Sequence, residues 1–394
     1  MPGFELFGEE ERREVQDVLD SGVLMRYGFD GARNGHWKAL TLEKELVARL
    51  GCGYAHVCSS GTAAVATALA ACGVGAGDEV IVAPFTFVAD IEMILLAGAV
   101  PVFADIDETL CLNPEAVAAT ITDKTKAVLV VHMCGSMARI DSLAALCKER
   151  AVVLIEDAAQ ALGGHFQGKA LGTFGKVGCF SFDYVKTITC GEGGGIITDD
   201  PDVYEVIQAY TDHGHDHVGA DRGAEGHPHI GNNFRISELH AAVGVAQLRK
   251  LDRMLEIQRA NKATIKDGLA GLNRVSFRDL PDPDGDSATF LSFFLPTEEE
   301  ARQAAKDLAA AGVDGCFYWY DNNWHYHRRW EHLKHMKSPG ALAPDKLGYG
   351  ENWADRDLSK SDAVMGRTIC MLIKLSWDEA ALAERLERMK SVLG

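Results

Sequence analysis

Over the first 250 residues, short apolar segments alternate with amphipathic or Ala-rich ones. The apolar segments are rich in β-branched residues, which is typical of strands, whereas the other segments have helical periodicity or propensity. The pattern predicts strands at 79–83, 101–104, 127–132 and 152–155, a strand-like run at 177–182, and helices at 9–19, 63–71 and 141–150. Such alternation is the sequence form of an α/β domain with a mostly parallel central sheet.

The pattern changes after a long helix predicted at 236–255. A polar helical segment comes first, and the later segments predict strands at 274–278 and 289–295 and helices at 298–311 and 379–393. This order fits a smaller α+β domain. We therefore expect a large domain over residues 1–255, which includes the N-terminal helical segment, and a small domain over residues 256–394.

Composition restricts the classes of function. The chain has 394 residues, of which 47% are hydrophobic, and a net charge of −18. This length allows a large core, and the charge argues against a broad basic surface for nucleic acid. The first 15 residues lack the basic and apolar regions of a signal peptide. The sequence has no apolar run of 18 residues, so we expect no membrane-spanning helix. The ten cysteines show no CxxC spacing, so we expect reduced core residues in a cytoplasmic protein.

Two chemically distinctive residues follow strand-like segments in the middle of the chain. Asp157 lies just past the segment 152–155, and Lys186 lies between the run 177–182 and the glycines at 191 and 193–195. A Lys that is partly desolvated at a strand end can supply an amine near neutral pH. A Lys for an imine and an Asp for a ring nitrogen are the two protein groups that pyridoxal 5'-phosphate (PLP) needs most.

Each of these residues also has a plainer interpretation. A Lys is usually a surface charge, and Asp157 would suit the N-cap of a helix. Glu156 is a rival carboxylate, but successive side chains of an extended chain point in opposite directions. The position of Lys186 at a strand end beside glycines suits a place where backbone can approach a ligand, whereas Asp157 taken alone leaves both interpretations open.

A third feature suits an anion such as a phosphate. Ser60, Gly61 and Thr62 directly precede the helix predicted at 63–71. Backbone N–H groups at a helix N-terminus, together with two small hydroxyls, form a good anion site. Triplets of this kind are also common as ordinary N-caps, so the signal is weak when taken alone.

Six motifs together resemble the sugar aminotransferases of the DegT/DnrJ/EryC1/StrS family, a branch of the fold-type-I PLP enzymes. They are SGT at 60–62, PFTF at 84–87, EDAAQA at 156–161, SFxxxK at 181–186, GEGG at 191–194 and GxNxR at 231–235. The resemblance covers nearly the whole chain. It implies a large domain with a mostly parallel sheet and a smaller C-terminal domain. It also implies that Lys186 binds PLP as an imine and moves the substrate proton, while Asp157 keeps the ring nitrogen protonated.

The resemblance implies roles for further residues. Gln160 matches the residue that hydrogen-bonds the phenolic oxygen of the cofactor, and Ser181 joins the phosphate site of residues 60–62. Phe87 matches the aromatic that stacks on the cofactor ring, although core packing would explain it equally simply. Asn233 matches the residue that reaches the cofactor phosphate of the neighbouring subunit. The chain is therefore expected to form a homodimer with shared active sites.

Two segments rich in His and aromatic residues have no assigned part in cofactor binding. The histidines between 213 and 229 suggest a metal at first, but the spacing of a closed zinc site is absent, and we expect no metal. We interpret this segment as a polar loop over the active site that offers His215, His217 and Arg222 to a hydroxylated or anionic substrate. Trp324 and His325, in the aromatic run 316–326, would suit sugar faces and hydroxyls, with core packing as the alternative.

Finer motifs resemble one subgroup of the family, which aminates an oxidised octulosonate with L-glutamate as donor in lipopolysaccharide assembly. They are MPGFELFG, VHMCGSMA, FDYVKTITCGEGG, DHGHDH and GVDGCFYWYDNNWHY. The FDYVK sequence and the HGHDH loop depart from typical nucleotide-sugar aminotransferases, so a nucleotide-linked substrate is the alternative. The PLP-dependent sugar dehydratases of the family have a His where Lys186 stands. A non-catalytic PLP-binding relative is the rival of another class, and the lack of GxGxxG after the first strand argues against a nicotinamide enzyme.

Overall fold

The computed structural model describes residues 3–219, 223–348 and 356–394. The strands are β1 (Tyr54–Cys58), β2 (Glu79–Val82), β3 (Val100–Phe103), β4 (Thr125–Val131), β5 (Val153–Asp157), β6 (His165–Phe166), β7 (Lys169–Ala170), β8 (Val177–Ser181), β9 (Gly194–Thr198), β10 (Ser276–Phe277), β11 (Phe290–Phe294), β12 (Cys316–Phe317) and β13 (Thr368–Leu372). The α-helices are α1 (Glu9–Ser21), α2 (Lys38–Leu50), α3 (Gly61–Ala71), α4 (Val88–Leu96), α5 (Pro114–Thr120), α6 (Ile140–Arg150), α7 (Pro201–Thr211), α8 (Glu238–Arg249), α9 (Leu251–Leu269), α10 (Glu298–Ala310), α11 (Glu331–Lys334), α12 (Ala343–Lys346), α13 (Ser359–Met365) and α14 (Glu379–Leu393).

The large sheet has seven strands in the order β1-β9-β8-β5-β4-β2-β3. The five strands β3, β2, β4, β5 and β8 run parallel, and only β9 is antiparallel to its neighbours β8 and β1. The predicted α/β architecture with a mostly parallel sheet is therefore confirmed. Strand order departs from chain order at two places: β2 lies between β3 and β4, and β1 lies at the edge beside β9. Helical crossovers between the parallel strands allow this order.

Both faces of this sheet are buried, which explains why its strands are continuous apolar runs. Within β4, Val128 and Val130 belong to one core, while Ala127 and Leu129 belong to the core on the opposite face. The same alternation along β5 sends Leu154 to the first core and Ile155 to the second. The alternation fixes which side chains can reach a site at the strand ends.

A second, antiparallel sheet has the order β10-β11-β13-β12. It shares a third core with α9, α10 and α14, in which Ile265, Phe293, Ile369 and Met389 are fully buried. The predicted C-terminal strands and helices are present, and each of their bounds lies within two residues of the predicted one.

The single helix predicted at 236–255 is wrong. The chain instead forms α8, turns at Lys250 with a φ of −90° and a ψ of −6°, and continues as α9. No Gly or Pro marks this turn, so the sequence pattern runs through it. The domain boundary predicted after residue 255 falls inside α9, whose first half packs on the large-sheet core through Leu251 and whose second half packs on the small sheet through Leu269.

Candidate active site

A cavity of about 440 Å³ lies at the carboxyl ends of β4, β5 and β8, where the small sheet closes over the large one. Its walls bring together residues from distant parts of the chain. They are Ser60, Gly61, Thr62, Val65, Phe87, Ala89, Asp90, Val131, Asp157, Ala159, Gln160, Cys179, Phe180, Ser181, Asp183, Val185, Lys186, Glu192, Phe290, Phe317, Trp319, His325 and Leu372. Most of the residues predicted for a PLP site are therefore in one place.

Lys186 lies in the loop after β8, where a tight turn aims it into the cavity. The backbone N–H of Lys186 donates to the Asp183 carbonyl (3.0 Å), and the N–H of Val185 donates to the Asp183 carboxylate (2.8 Å). Burial lowers the pKa of Lys186, and the charge of Asp157 opposes that shift. The direction is the one that a Lys needs in order to act as a nucleophile and a base.

Asp157 is the last residue of β5 and is 6% exposed. One carboxylate oxygen accepts a hydrogen bond from the Ala159 N–H (2.8 Å). Burial raises the pKa of Asp157, while this N–H and the charges of Lys186 and His132 oppose the shift. A buried carboxylate with so little hydrogen bonding of its own can pair with a cationic group that enters the cavity.

Glu156 points away from the cavity, as strand alternation predicts. Its carboxylate lies 3.0 Å from His132 Nε2 and accepts hydrogen bonds from the backbone N–H groups of Gly172, Phe174 and Gly175 at 2.6–2.8 Å. These partners satisfy Glu156 inside the core and anchor the loop before β8. Glu156 therefore has a structural role.

The opposite end of the cavity is an anion cradle. Ser60 caps α3 by accepting a hydrogen bond from the Ala63 N–H (3.0 Å), which leaves the first N–H groups of the helix for a ligand. A Cβ on Gly61 would lie 2.6 Å from Ser181 Cβ, and one on Gly194 would lie 2.2 Å from the Ser60 carbonyl oxygen. Only glycines allow the backbone of α3 to approach β8 and β9 so closely, and this approach places Ser181 beside the helix N-terminus.

Gln160 and Phe87 occupy the middle of the cavity. Gln160 Oε1 accepts a hydrogen bond from the Cys134 N–H (2.8 Å), so its NH₂ group is the part that can donate to a ligand. The ring of Phe87, just before α4, stacks on Trp324 with a centroid distance of 5.8 Å and an interplanar angle of 3°. Phe87 also contacts His325, at 5.4 Å between ring centroids. Phe87 therefore lines the cavity as well as packing in the core.

The aromatic run 316–326 forms the wall on the side of the small sheet. His325 contacts the ring of Trp319 with a centroid distance of 4.3 Å, and its Nδ1 lies 3.2 Å from Asn322 Oδ1. Burial, with the nearby Lys186, lowers the pKa of His325 to about 3, so its imidazole is neutral near pH 7. Trp324 does not line the cavity; its residue is 57% exposed, and it covers Phe87 from outside.

Three described residues that were predicted to act in the site, Asn233, His215 and His217, do not line this cavity within one chain. Asn233 is exposed and lies beside Asp212, although the neighbouring Phe234 carbonyl accepts a hydrogen bond from the Ser59 N–H (2.7 Å). His215 pairs with Glu225, and His217 stacks on Tyr27 at 4.5 Å. Arg222 lies outside the described residues. In the described ranges, no group of three or more His, Cys, Asp or Glu residues is arranged to hold a metal ion.

Asp90 is a cavity residue that the sequence analysis missed. It lies in the first turn of α4, one turn after Phe87, and is 1% exposed. An acidic residue in a first turn predicts only the start of a helix, so the motif gave no reason to select it. The three-residue spacing from Phe87, which puts both on one face of the helix, was the available signal.

This cavity fits PLP, on observations that are independent of the motifs. The cradle between α3 and β8 fits a phosphate, Lys186 fits an imine, and Asp157 fits a protonated ring nitrogen. Gln160 would donate to the phenolic oxygen, and Phe87 would lie against the ring. The fold and the cavity together define a PLP-binding protein of the aminotransferase fold.

The chain belongs to the DegT/DnrJ/EryC1/StrS aminotransferase family, whose sequence profile matches residues 6–344. It is 41% identical over 266 residues to an L-glutamine:2-deoxy-scyllo-inosose aminotransferase of Streptomyces lividus, a match that covers 65% of this chain and 61% of that protein. It is 38% identical over 263 residues to the GDP-perosamine synthase of Vibrio cholerae, a match that covers 66% of this chain and 68% of that protein. Thus the chain spans about three fifths of the first relative's length. The X-ray structure of the aminotransferase from Psychrobacter cryohalolentis superposes on this chain with a TM-score of 0.84 at 27% identity. The superposition covers 98% of this chain and 97% of that one.

Proposed function

We propose that the protein is a PLP-dependent aminotransferase that converts an oxidised sugar to an amino sugar. One observation carries this proposal: Lys186, Asp157 and the anion cradle line a single cavity. Bound PLP would supply an electron sink for the carbon that loses a proton. Lys186 is the base that can take up that proton. Asp157 would be the charge partner of the ring nitrogen, and Gln160 would orient the ring through its phenolic oxygen.

No helix in the described ranges is both long and apolar enough to cross a membrane.

The experiment that tests cofactor attachment is borohydride reduction followed by peptide mapping. We expect a pyridoxyl group on Lys186, and a Lys186→Ala variant that stays unlabelled under the same conditions. Lys176, which is partly exposed and lies 3.6 Å from Asp200, is the matched control, since a Lys176→Ala variant should label as the parent does. A label on Lys176 or Lys169 would overturn the assignment of Lys186.

For the substrate, we propose 8-oxo-3,8-dideoxy-manno-octulosonate, aminated at C8 with L-glutamate as donor, in lipopolysaccharide biosynthesis. The support is the likeness of the VHMCGSMA, DHGHDH and GVDGCFYWYDNNWHY segments to the octulosonate subgroup. The aromatic wall of Phe317, Trp319 and the neutral His325 suits the faces and hydroxyls of a sugar. A nucleotide-linked keto-sugar is the second candidate, because one relative is a GDP-perosamine synthase.

A sugar acid and glutamate both bring carboxylates, and the charges of the cavity wall bear on how they are held. Among the lining residues that the structure describes, Lys186 is the only Lys or Arg, against four acidic residues. A carboxylate therefore needs a cationic or polar partner from elsewhere. We propose that a second copy of the chain supplies it, with Arg222 and the loop of His215 and His217 as candidates.

A homodimer with shared sites agrees with three further observations. Asn233 is exposed, although its neighbour Phe234 is hydrogen-bonded beside the anion cradle. Val185, which lines the cavity, is 53% exposed, and Ile230, in the segment just before Asn233, is 95% exposed. Large apolar side chains with such exposure favour a covering partner. We also propose a cytoplasmic location, which fits ten free cysteines.

Incubation with ¹⁵N-labelled L-glutamate and candidate sugars, read by mass spectrometry, tests the substrate. We expect transfer of ¹⁵N to the octulosonate and at least about tenfold slower transfer to a GDP-linked keto-sugar, the discrimination that one well-placed charged contact supplies. In the same assay, Arg222→Ala should raise KM for the sugar acid more than for its neutral analogue. Equal or faster turnover of the nucleotide sugar would show that the octulosonate proposal is wrong, while the PLP chemistry would stand.

A further inference from the structure

Asp90 is a buried acid in the cavity to which the proposed chemistry gives no role. It is 1% exposed and lines the same cavity as Asp157 and Lys186. The Thr86 hydroxyl donates a hydrogen bond to its Oδ2. An acid in the first turn of a helix ordinarily complements the helix dipole from the solvent side. Asp90 instead lines the cavity, so its carboxyl group can act on the other groups of the site.

The groups around Asp90 come from several parts of the chain that are far apart in sequence. Asp157 on β5 and Lys186 after β8 both act on Asp90 electrostatically. The carboxyl groups of Asp157 and Asp90 both act electrostatically on Cys179 on β8. His132 acts electrostatically on Asp157, and Lys186 acts electrostatically on His325. This part of the cavity therefore combines two carboxyl groups with one lysine.

Two carboxyl groups in one desolvated space do not both ionise readily. Asp157 is the better site for the charge, since it accepts the Ala159 N–H and lies near both Lys186 and His132. Asp90 is more deeply buried, and its hydrogen-bond donor is the neutral hydroxyl of Thr86. Burial, together with the charge of Asp157, raises the pKa of Asp90 well above its ordinary value. Geometry and electrostatics thus assign the proton of the pair to Asp90.

The acid is also fixed relative to the aromatic wall. The Thr86 N–H donates to the His325 carbonyl (3.0 Å), and the Val88 N–H donates to the Trp324 carbonyl (2.8 Å). These bonds hold the start of α4, and with it the Thr86 hydroxyl and Asp90, against the segment that supplies His325. The orientation of Asp90 is therefore set by two parts of the chain that are far apart in sequence.

We propose that Asp90 is a positioning residue that stays an uncharged carboxylic acid beside Asp157, so that the pair presents one negative charge, on Asp157, to the ring nitrogen of PLP. A single ring nitrogen can neutralise one carboxylate and not two, so a second charge would remain uncompensated in the cavity. The inference rests on the PLP part of the proposed function and is independent of the sugar.

The test compares Asp90→Asn, which keeps the shape and is uncharged, with Asp90→Ala, which removes the group. The readouts need no sugar: the dissociation constant of PLP and the pH midpoint of the bound cofactor's absorption spectrum. We expect Asp90→Asn to stay within about threefold of the parental dissociation constant with an unchanged midpoint. Asp90→Ala should weaken PLP about tenfold, the effect of losing one buried polar contact, and should shift the midpoint.

Two results would overturn the proposal. If Asp90 were ionised, Asp90→Asn would remove a negative charge and lower the pH midpoint by about one unit, as Asp157→Asn should. If Asp90 only started the helix, Asp90→Ala would lower the unfolding temperature of the PLP-free protein and leave both cofactor readouts unchanged. Asp202→Asn, which alters an exposed first-turn acid of α7, is the matched control for the helix effect. Absence of PLP from Lys186 of the parent would instead contradict the proposed function itself.

Discussion

The backbone N–H of Cys134 donates a hydrogen bond to Gln160 Oε1 at 2.8 Å, and this single bond decides which end of the Gln160 amide faces the cavity. Gln160 is 6% exposed and Cys134 is fully buried, so the bond is made away from bulk water. The NH₂ group is left as the donor to the cofactor. Cys134 itself has a φ of 56°, an uncommon backbone conformation for a residue with a side chain. The loop after β4 is thus shaped to orient a residue after β5.

Gln160 variants separate the two ends of this amide. Gln160→Glu keeps an oxygen for the Cys134 N–H but replaces the donor, so we expect PLP to bind about tenfold more weakly with little change in the stability of the PLP-free protein. Gln160→Ala also leaves the Cys134 N–H unpaired and should cost a further 1–3 kcal/mol or so of unfolding free energy. Denaturant titration of the PLP-free variants and spectroscopic PLP titration measure the two effects. Equal stability of both variants would contradict the orientation of the amide.

Asp157 and Glu156 are adjacent carboxylates with different expected effects. Asp157→Asn should keep the cofactor but slow proton abstraction on the order of 10²-fold or more, since the ring loses its charge partner. Glu156→Gln is the matched control; it should lower stability, because the carboxylate holds His132 and three backbone N–H groups, and change the rate of the folded enzyme less than threefold. Single-turnover kinetics with L-glutamate measure the rates. A rate for Asp157→Asn within threefold of the parent would count against the assignment.

Asn233 allows a complementation test of the shared site. Asn233→Ala should retain PLP poorly, and Lys186→Ala should be inactive. A mixed dimer of these two chains has one site with both residues intact, so random mixing should restore about a quarter of the parental sites. Activity after refolding the two variants together, compared with each refolded alone, measures this gain. No gain above the separate activities would mean that Asn233 acts within its own chain.

His327 gives a prediction for the dependence of stability on pH. Its side chain is 14% exposed, and its Nε2 lies 4.0 Å from Asp362 Oδ1. Burial lowers the pKa of His327 to about 4 in spite of that carboxylate. Between this value and the unfolded value of about 6.5, the unfolded chain binds more protons, so stability falls as the pH falls through this window and levels off below it. The contribution is about 2 kcal/mol between pH 7 and pH 5.

Urea unfolding of the parent and of His327→Gln at pH 7 and pH 5 checks this expectation. The variant should lose about 2 kcal/mol less than the parent on acidification, because Gln does not titrate. His332→Gln, at a side chain that is 48% exposed, should follow the parent. Equal losses for all three proteins would show that His327 does not remain neutral in the folded state.

Much of this architecture is determined by the sequence alone. Apolar runs that are buried on both faces have few alternatives to strands of a covered parallel sheet, so the positions of β2, β4, β5 and β8 could be predicted from the pattern. Lys186, Asp157 and the triplet 60–62 were identifiable because each ends or follows a strand or begins a helix, and strand ends of a parallel sheet meet at one edge. The opposite directions of Glu156 and Asp157 follow from the pleat of the strand alone.

Other features depended on contacts between residues that are far apart in the chain. Nothing local marks the turn at Lys250, because helical sequence continues on both sides of it, and packing on two different cores decides where α8 ends. Asp90 is an ordinary first-turn acid by its sequence; only the meeting of α4 with β5 and the loop after β8 makes it a neighbour of Asp157 and Lys186. The sequence thus determined which chemical groups this protein has and which strand or helix carries each. Tertiary structure decided which of them share one desolvated space, because burial and charge coupling act through distance in space and not along the chain.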